Sequence, residues 1–100
     1  MSAPMWEISH RVRFVVTSPD RVVALHLDRP HERPSALLGT AASIWLQLTD
    51  GDGRRLVGGA SAVAVIAALA DAFDQPSDVI APDVHSFLHD METRGFVVRM

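Results

Sequence analysis

The segment Leu37-Leu38-Gly39-Thr40-Ala41-Ala42-Ser43-Ile44-Trp45 joins a short apolar stretch to a predicted helix. Either Gly39 or Thr40 can cap this helix, because both residue types are favoured at the N-cap. Apolar residues follow at helical spacing, so their shared face, which includes Trp45, is expected in the core. Turn residues at 49–53 are expected to end the helix. The apolar positions of the helix are Ala41, Ala42, Ile44, Trp45 and Leu48.

The residues before this segment alternate between apolar and polar types, which is the pattern of half-buried strands. One predicted strand runs from Ile8 to Val16 and a second from Arg21 to Asp28, with a turn at Ser18-Pro19-Asp20 between them. The four residues from Ser35 to Leu38 are a candidate third strand, and Pro34 at their start suits a sheet edge. In the second strand we expect Val23, Leu25 and Leu27 on one face and Ala24, His26 and Asp28 on the other.

Two further helices are predicted after the first. Ser61 can cap a helix that runs to Phe73, and a third helix is expected to begin near Ala81, because Pro82 is favoured at a first helical position. Gly95 is expected to end the third helix, and the next three residues form a short extended tail. The predicted buried stripes are Val63, Ile66, Ala67, Ala70 and Phe73 in the second helix and Val84, Phe87, Leu88 and Met91 in the third.

This order of elements predicts an α+β, winged helix-turn-helix-like fold, with two or three strands followed by three helices. One hundred residues suit a single domain over 1–100 with its core at about 8–98. The segment from Asp50 to Gly59 is ambiguous and could be partly extended. Trp6, ahead of the first strand, could pack on the sheet or on a partner.

The composition argues against several classes of function. There is no Cys, which excludes disulfides, thiolate metal sites and a cysteine nucleophile. The net charge is −3 and all nine cations are scattered Arg, which disfavours nucleic-acid binding. No secretion signal or membrane-spanning run is readable, so the expected location is the cytoplasm, with no membrane partner.

Catalytic and metal-binding patterns are equally weak. His85 and His89 are four residues apart on one predicted helix, but no Glu follows the first His and no third ligand is evident, so surface histidines are the better interpretation. No Ser, His and Asp stand at an interpretable spacing, and no Lys exists to complete a phosphate loop. We therefore expect no catalytic residues, no metal and no cofactor, and the chain is not expected to be an enzyme.

Four blocks of the chain, taken in order, resemble the PqqD-like family, over roughly Arg11 to Val98. Two features differ from the family's usual pattern: Leu37-Leu38 replaces Leu-Asn before the helix, and the loop from Asp50 to Gly59 is longer. The blocks are the opening segment at 37–45, Leu69-Ala70-Asp71-Ala72-Phe73, Asp83-Val84-His85-Ser86-Phe87-Leu88 and Arg94-Gly95-Phe96-Val97.

The resemblance implies a RiPP recognition element, in which a three-stranded antiparallel sheet and three helices hold the leader of a ribosomally made precursor peptide. It also implies the role of the small free-standing proteins of lasso peptide biosynthesis, which act with a separate leader peptidase, a cysteine protease, upstream of an asparagine-synthetase-like cyclase. The leader would bind by β-strand addition to the third strand.

By the same resemblance the peptide-binding residues fall into two groups. The first is the third strand with the preceding loop, and the second is one wall of the third helix. The residues alone leave open whether Val84, Leu88 and Met91 line the groove or only the core, and whether Arg29 and Arg33 are solvated or meet acidic leader residues. The predicted site comprises Arg33, Ser35, Ala36, Leu37, Leu38, Val84, His85, Leu88, Met91 and Glu92.

Two other function classes remain as alternatives. A winged-helix DNA-binding regulator would have the same element order, but Asp83 to Arg94 contains two Asp, one Glu and a single Arg, which is a poor recognition helix. The chain could also be a purely structural subunit of a larger enzyme.

Overall fold

A computed structural model describes residues 3–29 and 31–100. The helices are α1 (Thr40–Leu46), α2 (Ala62–Phe73) and α3 (Ser77–Thr93). The strands are β1 (Met5–Ile8), β2 (Val12–Ser18), β3 (Arg21–His26), β4 (Ser35–Leu38), β5 (Ala60–Ser61) and β6 (Val97–Arg99).

The strands form two antiparallel sheets, and the fold is therefore α+β as predicted. Strands β2, β3 and β4 make a sheet of consecutive neighbours, while the second sheet has the order β5-β1-β6. The second sheet was not predicted, because β1 and β5 are only four and two residues long and their partners are distant in sequence. No helix within 3–29 and 31–100 is long and apolar enough to cross a membrane.

The single strand predicted from Ile8 to Val16 is wrong. The chain turns after Ile8, where the Ser9 carbonyl accepts the Val12 N–H at 3.1 Å and the Ser9 hydroxyl accepts the Arg11 N–H at 3.1 Å. Ile8 ends β1 in one sheet and Val12 begins β2 in the other. Both residues are buried, so the apolar pattern continues across a turn that the pattern alone does not reveal.

The face assigned to β3 is reversed. Val22, Ala24 and His26 point into the core, whereas Val23 and Leu25 are half-exposed on the outer face. Because both faces of this strand carry apolar residues, alternation could not identify the inner one. His26 is accommodated inside because its Nδ1 accepts the Asp28 N–H at 3.1 Å and its ring packs 5.8 Å from that of Phe96.

The opening segment forms the predicted junction, and Trp45 is fully buried, with its ring edge-on to Phe14 at 5.5 Å. Gly39 is the N-cap of α1 and makes no side-chain cap bond. The φ of Gly39 is 60°, a value that glycine adopts without steric cost. This explains why Gly39 and not Thr40 is the N-cap of α1.

The second and third helices differ from prediction in orientation and length. Ser61 caps α2 as predicted, with its hydroxyl accepting the Ala64 N–H at 3.1 Å. The buried residues of α2 are Val65, Ile66 and Leu69, whereas Val63 is 71% exposed. The predicted stripe is partly wrong because apolar residues occur on every face of this helix, so their spacing does not identify the buried face. The other corrected members of the stripe are Ala67 and Phe73, both exposed.

α3 begins at Ser77, four residues before the predicted start, because Pro76 ends the preceding link and serves as the N-cap. Pro82 therefore lies inside the helix rather than at its first position. α3 ends at Thr93, close to Gly95 as predicted.

The segment from Asp50 to Gly59 is attached to β1. The carboxylate of Glu7 is buried, accepts the Gly58 N–H at 3.2 Å and lies 3.4 Å from Arg55 Nε. Gly59 crosses the backbone of β1 so closely that a Cβ there would lie 2.2 Å from the Trp6 carbonyl oxygen. Within the segment, the expected extended structure is limited to one bridge between Thr49 and Arg55.

Candidate functional site

β4 lies at the edge of the β2-β3-β4 sheet and pairs with β3 alone among the described residues. Its register runs from Ser35 opposite Ala24 to Leu38 opposite Arg21. The predicted edge strand is therefore present at 35–38, immediately before α1.

The backbone groups of β4 alternate between β3 and the open edge. The Gly39 N–H donates to the Asp20 carbonyl at 2.9 Å, which identifies these two residues as a hydrogen-bonded pair. Because such pairs alternate along an antiparallel ladder, Leu37 and Ser35 also bond to β3. The N–H and C=O groups of Ala36 and Leu38 therefore point away from the sheet, where a further strand could bond to them.

The side chains of β4 alternate in the other direction, across the sheet. Leu37 is 6% exposed and belongs to the core, and Ser35 lies on the same inner face. Ala36 and Leu38 lie on the outer face, where Leu38 is 59% exposed. Arg33, also a predicted site residue, is exposed in the loop before β4.

The C-terminal end of α3 contacts the start of β4. The Arg94 guanidinium donates from Nη2 to the Ser35 hydroxyl and lies 4.7 Å above the Phe96 ring. Arg29 donates from Nη1 to the Arg94 carbonyl at 2.7 Å. These contacts bring the C-terminal end of α3 to the Ser35 end of β4, and they involve Arg94, which is not among the predicted site residues.

Three of the predicted groove residues lie in the core. Val84, Leu88 and Met91 are between 0% and 2% exposed, so their side chains support the fold from beneath. The flank of α3 that continues from Arg94 at helical spacing instead carries Asp90, half-buried Phe87 and Asp83. Phe87 is half-buried and packs against the core as expected, at the margin next to this flank.

The remaining two predicted residues, His85 and Glu92, lie on the opposite flank of α3. Glu92 contacts Arg99 of β6 at 3.3 Å, and His85 lines a pocket together with Trp6 and Arg99. The structure therefore does not bring them together with β4. Residues 85 and 92 are two helical turns apart and therefore share one flank of α3, which helical spacing alone could have shown. The sequence does not reveal whether that flank or the opposite one lies towards β4.

The open edge of β4 offers backbone donors and acceptors to a ligand. Within 3–29 and 31–100 there is no group of three or more His, Asp or Glu that could hold a metal ion. Hydrogen bonds from the Arg11 guanidinium, at 3.1 and 2.7 Å, lower the pKa of Asp28. This pair is exposed beside β2 and lies outside the β4 edge.

The chain is similar to a protein-family model and to a solved structure. The sequence model described as "Coenzyme PQQ synthesis protein D (PqqD)" matches residues 21–97. The chain is also similar to the solved structure "TbiB1 in Complex with the TbiA(beta) Leader Peptide", with 21% identity, a TM-score of 0.69, and coverage of 91% of this chain and 93% of that one. Comparison with curated protein sequences gives no significant match. The match to most of the sequence shows that this chain belongs to the PqqD family.

Proposed function

We propose that this chain is a non-catalytic adaptor that binds the leader segment of a ribosomally made precursor peptide by strand addition to β4. The observation that carries the proposal is the open edge itself, where the backbone groups of Ala36 and Leu38 point outward. Family membership supports it, as does the fold shared with a protein solved with a leader peptide.

In this proposal the predicted site residues have different tasks. Ala36 and Leu38 bond to the peptide through their outward backbone groups, Ser35 presents its hydroxyl at one end of the strand, and Arg33 lies beside the path of the peptide. Leu37 holds β4 against the core, to which the buried side chains of Val84, Leu88 and Met91 also belong. His85 and Glu92 belong to the far flank of α3 and are assigned no contact with the peptide.

The partners follow from the same proposal. The adaptor delivers the leader to a leader peptidase, a cysteine protease, in lasso peptide biosynthesis, and a cyclase acts on the released core peptide. A DNA-binding role is disfavoured by charge, because residues 62–93, which contain α2 and α3, have six Asp or Glu and no Lys or Arg.

The proposal is tested by titrating the full chain with a fluorescent leader peptide from the precursor gene beside its own. Ala36→Pro removes an outward N–H without removing a bond to β3, so we expect affinity to fall roughly tenfold or more. The matched control is Val16→Pro, whose N–H points outward at the opposite edge of the same sheet. It should leave affinity unchanged.

Amide exchange provides a second measurement on the unaltered chain. Peptide binding should slow the exchange of the Ala36 and Leu38 amides, while that of the Leu37 amide changes little because it is already paired with β3. Equal affinity in Ala36→Pro and wild type, with both folded, would contradict strand addition at β4. Absence of leader binding at tens of micromolar would contradict the adaptor role itself.

A further inference from the structure

We propose that the bound peptide carries an Asp or Glu whose carboxylate pairs with Arg94 at the Ser35 end of β4. This inference rests on the proposed function, because it concerns which peptide the open edge prefers. It goes further by identifying a specificity-determining residue that lies outside β4 and the loop before it.

Arg94 differs from most arginines of the chain in its surroundings. Among the described residues three arginines are half-buried, Arg29, Arg55 and Arg94, and Arg55 is the one of them that lies within 4 Å of a carboxylate, that of Glu7. Arg94 donates to the Ser35 hydroxyl and Arg29 to the Arg94 carbonyl, which are both neutral acceptors. Within residues 3–29 and 31–100 the arginine–carboxylate pairs join Arg55 to Glu7, Arg11 to Asp28 and Arg99 to Glu92.

A partly desolvated guanidinium without a counter-ion favours an incoming anion. Burial removes part of the hydration of the charge, and a neutral hydroxyl compensates for only one of the five N–H donors. A carboxylate can accept two parallel bonds from such a group, which is the geometry that Arg binds best. Arg29 lies against the same end of α3 and adds a second positive charge to the local field.

The sheet register predicts where the acidic residue lies in the peptide. A residue of the added strand that lies opposite Ser35 points its side chain to the same face as Ser35, towards Arg94. The next inward side chain is two residues away and lies beside Leu37. The preferred peptide therefore has an acidic residue two positions from an inward-facing apolar one.

The charges on α3 restrict the acidic residue to one end of the groove. Asp90 and Asp83 precede Arg94 on the same flank, about 6 Å and 16 Å along the helix axis. They repel a second carboxylate farther along the peptide. The groove is thus cationic beside Ser35 and acidic away from it, which favours one charged end of the peptide at that position.

The experiment is selection from a displayed library of random peptides, about 12 residues long so that they exceed the four-residue strand. The baits are the full-length wild type, Arg94→Gln, Arg94→Glu, Arg94→Lys and the control Arg54→Gln, which removes one exposed charge from the loop attached to β1. Wild type, Arg94→Lys and Arg54→Gln should enrich Asp or Glu at a fixed position. Arg94→Gln should lose that preference, and Arg94→Glu should enrich Lys or Arg there.

Individual peptides then give the magnitude. Changing the enriched Glu to Gln should weaken binding to wild type about tenfold and leave binding to Arg94→Gln nearly unchanged, with the difference shrinking at high salt. Peptides that depend on the β4 edge, shown by loss of binding to Ala36→Pro, but carry no acidic preference would overturn this inference alone. No enrichment, or enrichment unaffected by Ala36→Pro, would overturn the proposed function as well.

Discussion

The two edge strands of the β2-β3-β4 sheet, β2 and β4, differ in how far their outward backbone groups are covered. At the β2 edge the outward carbonyl of Val12 lies 3.4 Å from Arg13 Nη1, and a bulge disturbs the strand between Val16 and Ser18. The Arg11–Asp28 ion pair covers the start of that edge. At β4 no side chain of the described residues bonds to the outward groups of Ala36 or Leu38. Since bulges and charged side chains discourage strand pairing, the sheet has one protected edge and one open edge.

The largest expected effect comes from removing the support common to both edges. Trp45→Ala empties a fully buried site against Phe14 and should lower the free energy of unfolding by about 3–5 kcal/mol. Denaturant unfolding followed by circular dichroism measures this. Val57→Ala, at a residue that is 85% exposed, is the control and should change stability little. A small decrease in the free energy of unfolding of Trp45→Ala would show that the stability of the core does not depend on this ring.

The next prediction separates the inward and outward residues of β4. Leu37→Pro removes an N–H that bonds to β3 and a buried side chain, so it should destabilise the fold by about 3 kcal/mol or more. Ala36→Pro should cost about 1 kcal/mol or less, because its N–H points outward. Thermal unfolding of both variants tests whether Leu37→Pro is the more destabilising. If Ala36→Pro were more destabilising, the N–H of Ala36 and not that of Leu37 would be the one bonded to β3.

A third prediction would open the protected edge. Arg13→Gln removes the side chain that bonds to the Val12 carbonyl, while changing stability by only about 0.5 kcal/mol, since Arg13 is exposed. We expect self-association at high concentration, measured by sedimentation, and expect adding Val16→Pro to reverse it. A monomeric Arg13→Gln variant would mean that the bulge alone protects β2.

The smallest effect concerns pH at the same edge. Because hydrogen bonds from Arg11 lower the pKa of Asp28 in the folded state, the pair stabilises the fold above the unfolded pKa and loses that contribution as pH falls through the folded pKa. Arg11→Gln should raise the pKa of Asp28 towards its usual value, as measured by NMR titration. Its stability should differ slightly from wild type at neutral pH and converge with it in acid. An unchanged pKa would show that the contact is absent in solution.

The sequence predicted the local features of the fold well. The edge strand at 35–38, the Ser61 cap and the burial of Trp45 each depend on a few adjacent residues, and all three are observed. The β5-β1-β6 sheet depends on pairs such as Trp6 with Arg99, which no local pattern contains. The inner face of β3 was reversed for a related reason, because only its packing against the rest of the protein distinguishes the two faces.

The candidate site shows the same division. The open strand could be identified from a resemblance and a proline, but the flank of α3 that meets it could not, because the helix is amphipathic with polar residues on both flanks. The contact between Arg94 and Ser35 joins positions 59 residues apart, and it identifies the flank of α3 that lies towards β4. His85 and Glu92 were included in the predicted site for lack of that contact.

The crossing of Gly59 over β1 limits how this chain can vary. Its φ is 70°, and a methyl group at this position would overlap the Trp6 carbonyl, so neither Ala nor a left-handed residue such as Asn fits. The neighbouring Gly58 has a similar φ but open space around it, so Asn there meets no obstruction. In a deep mutational scan selected only for folded protein, position 59 should accept glycine alone, whereas position 58 should also accept asparagine.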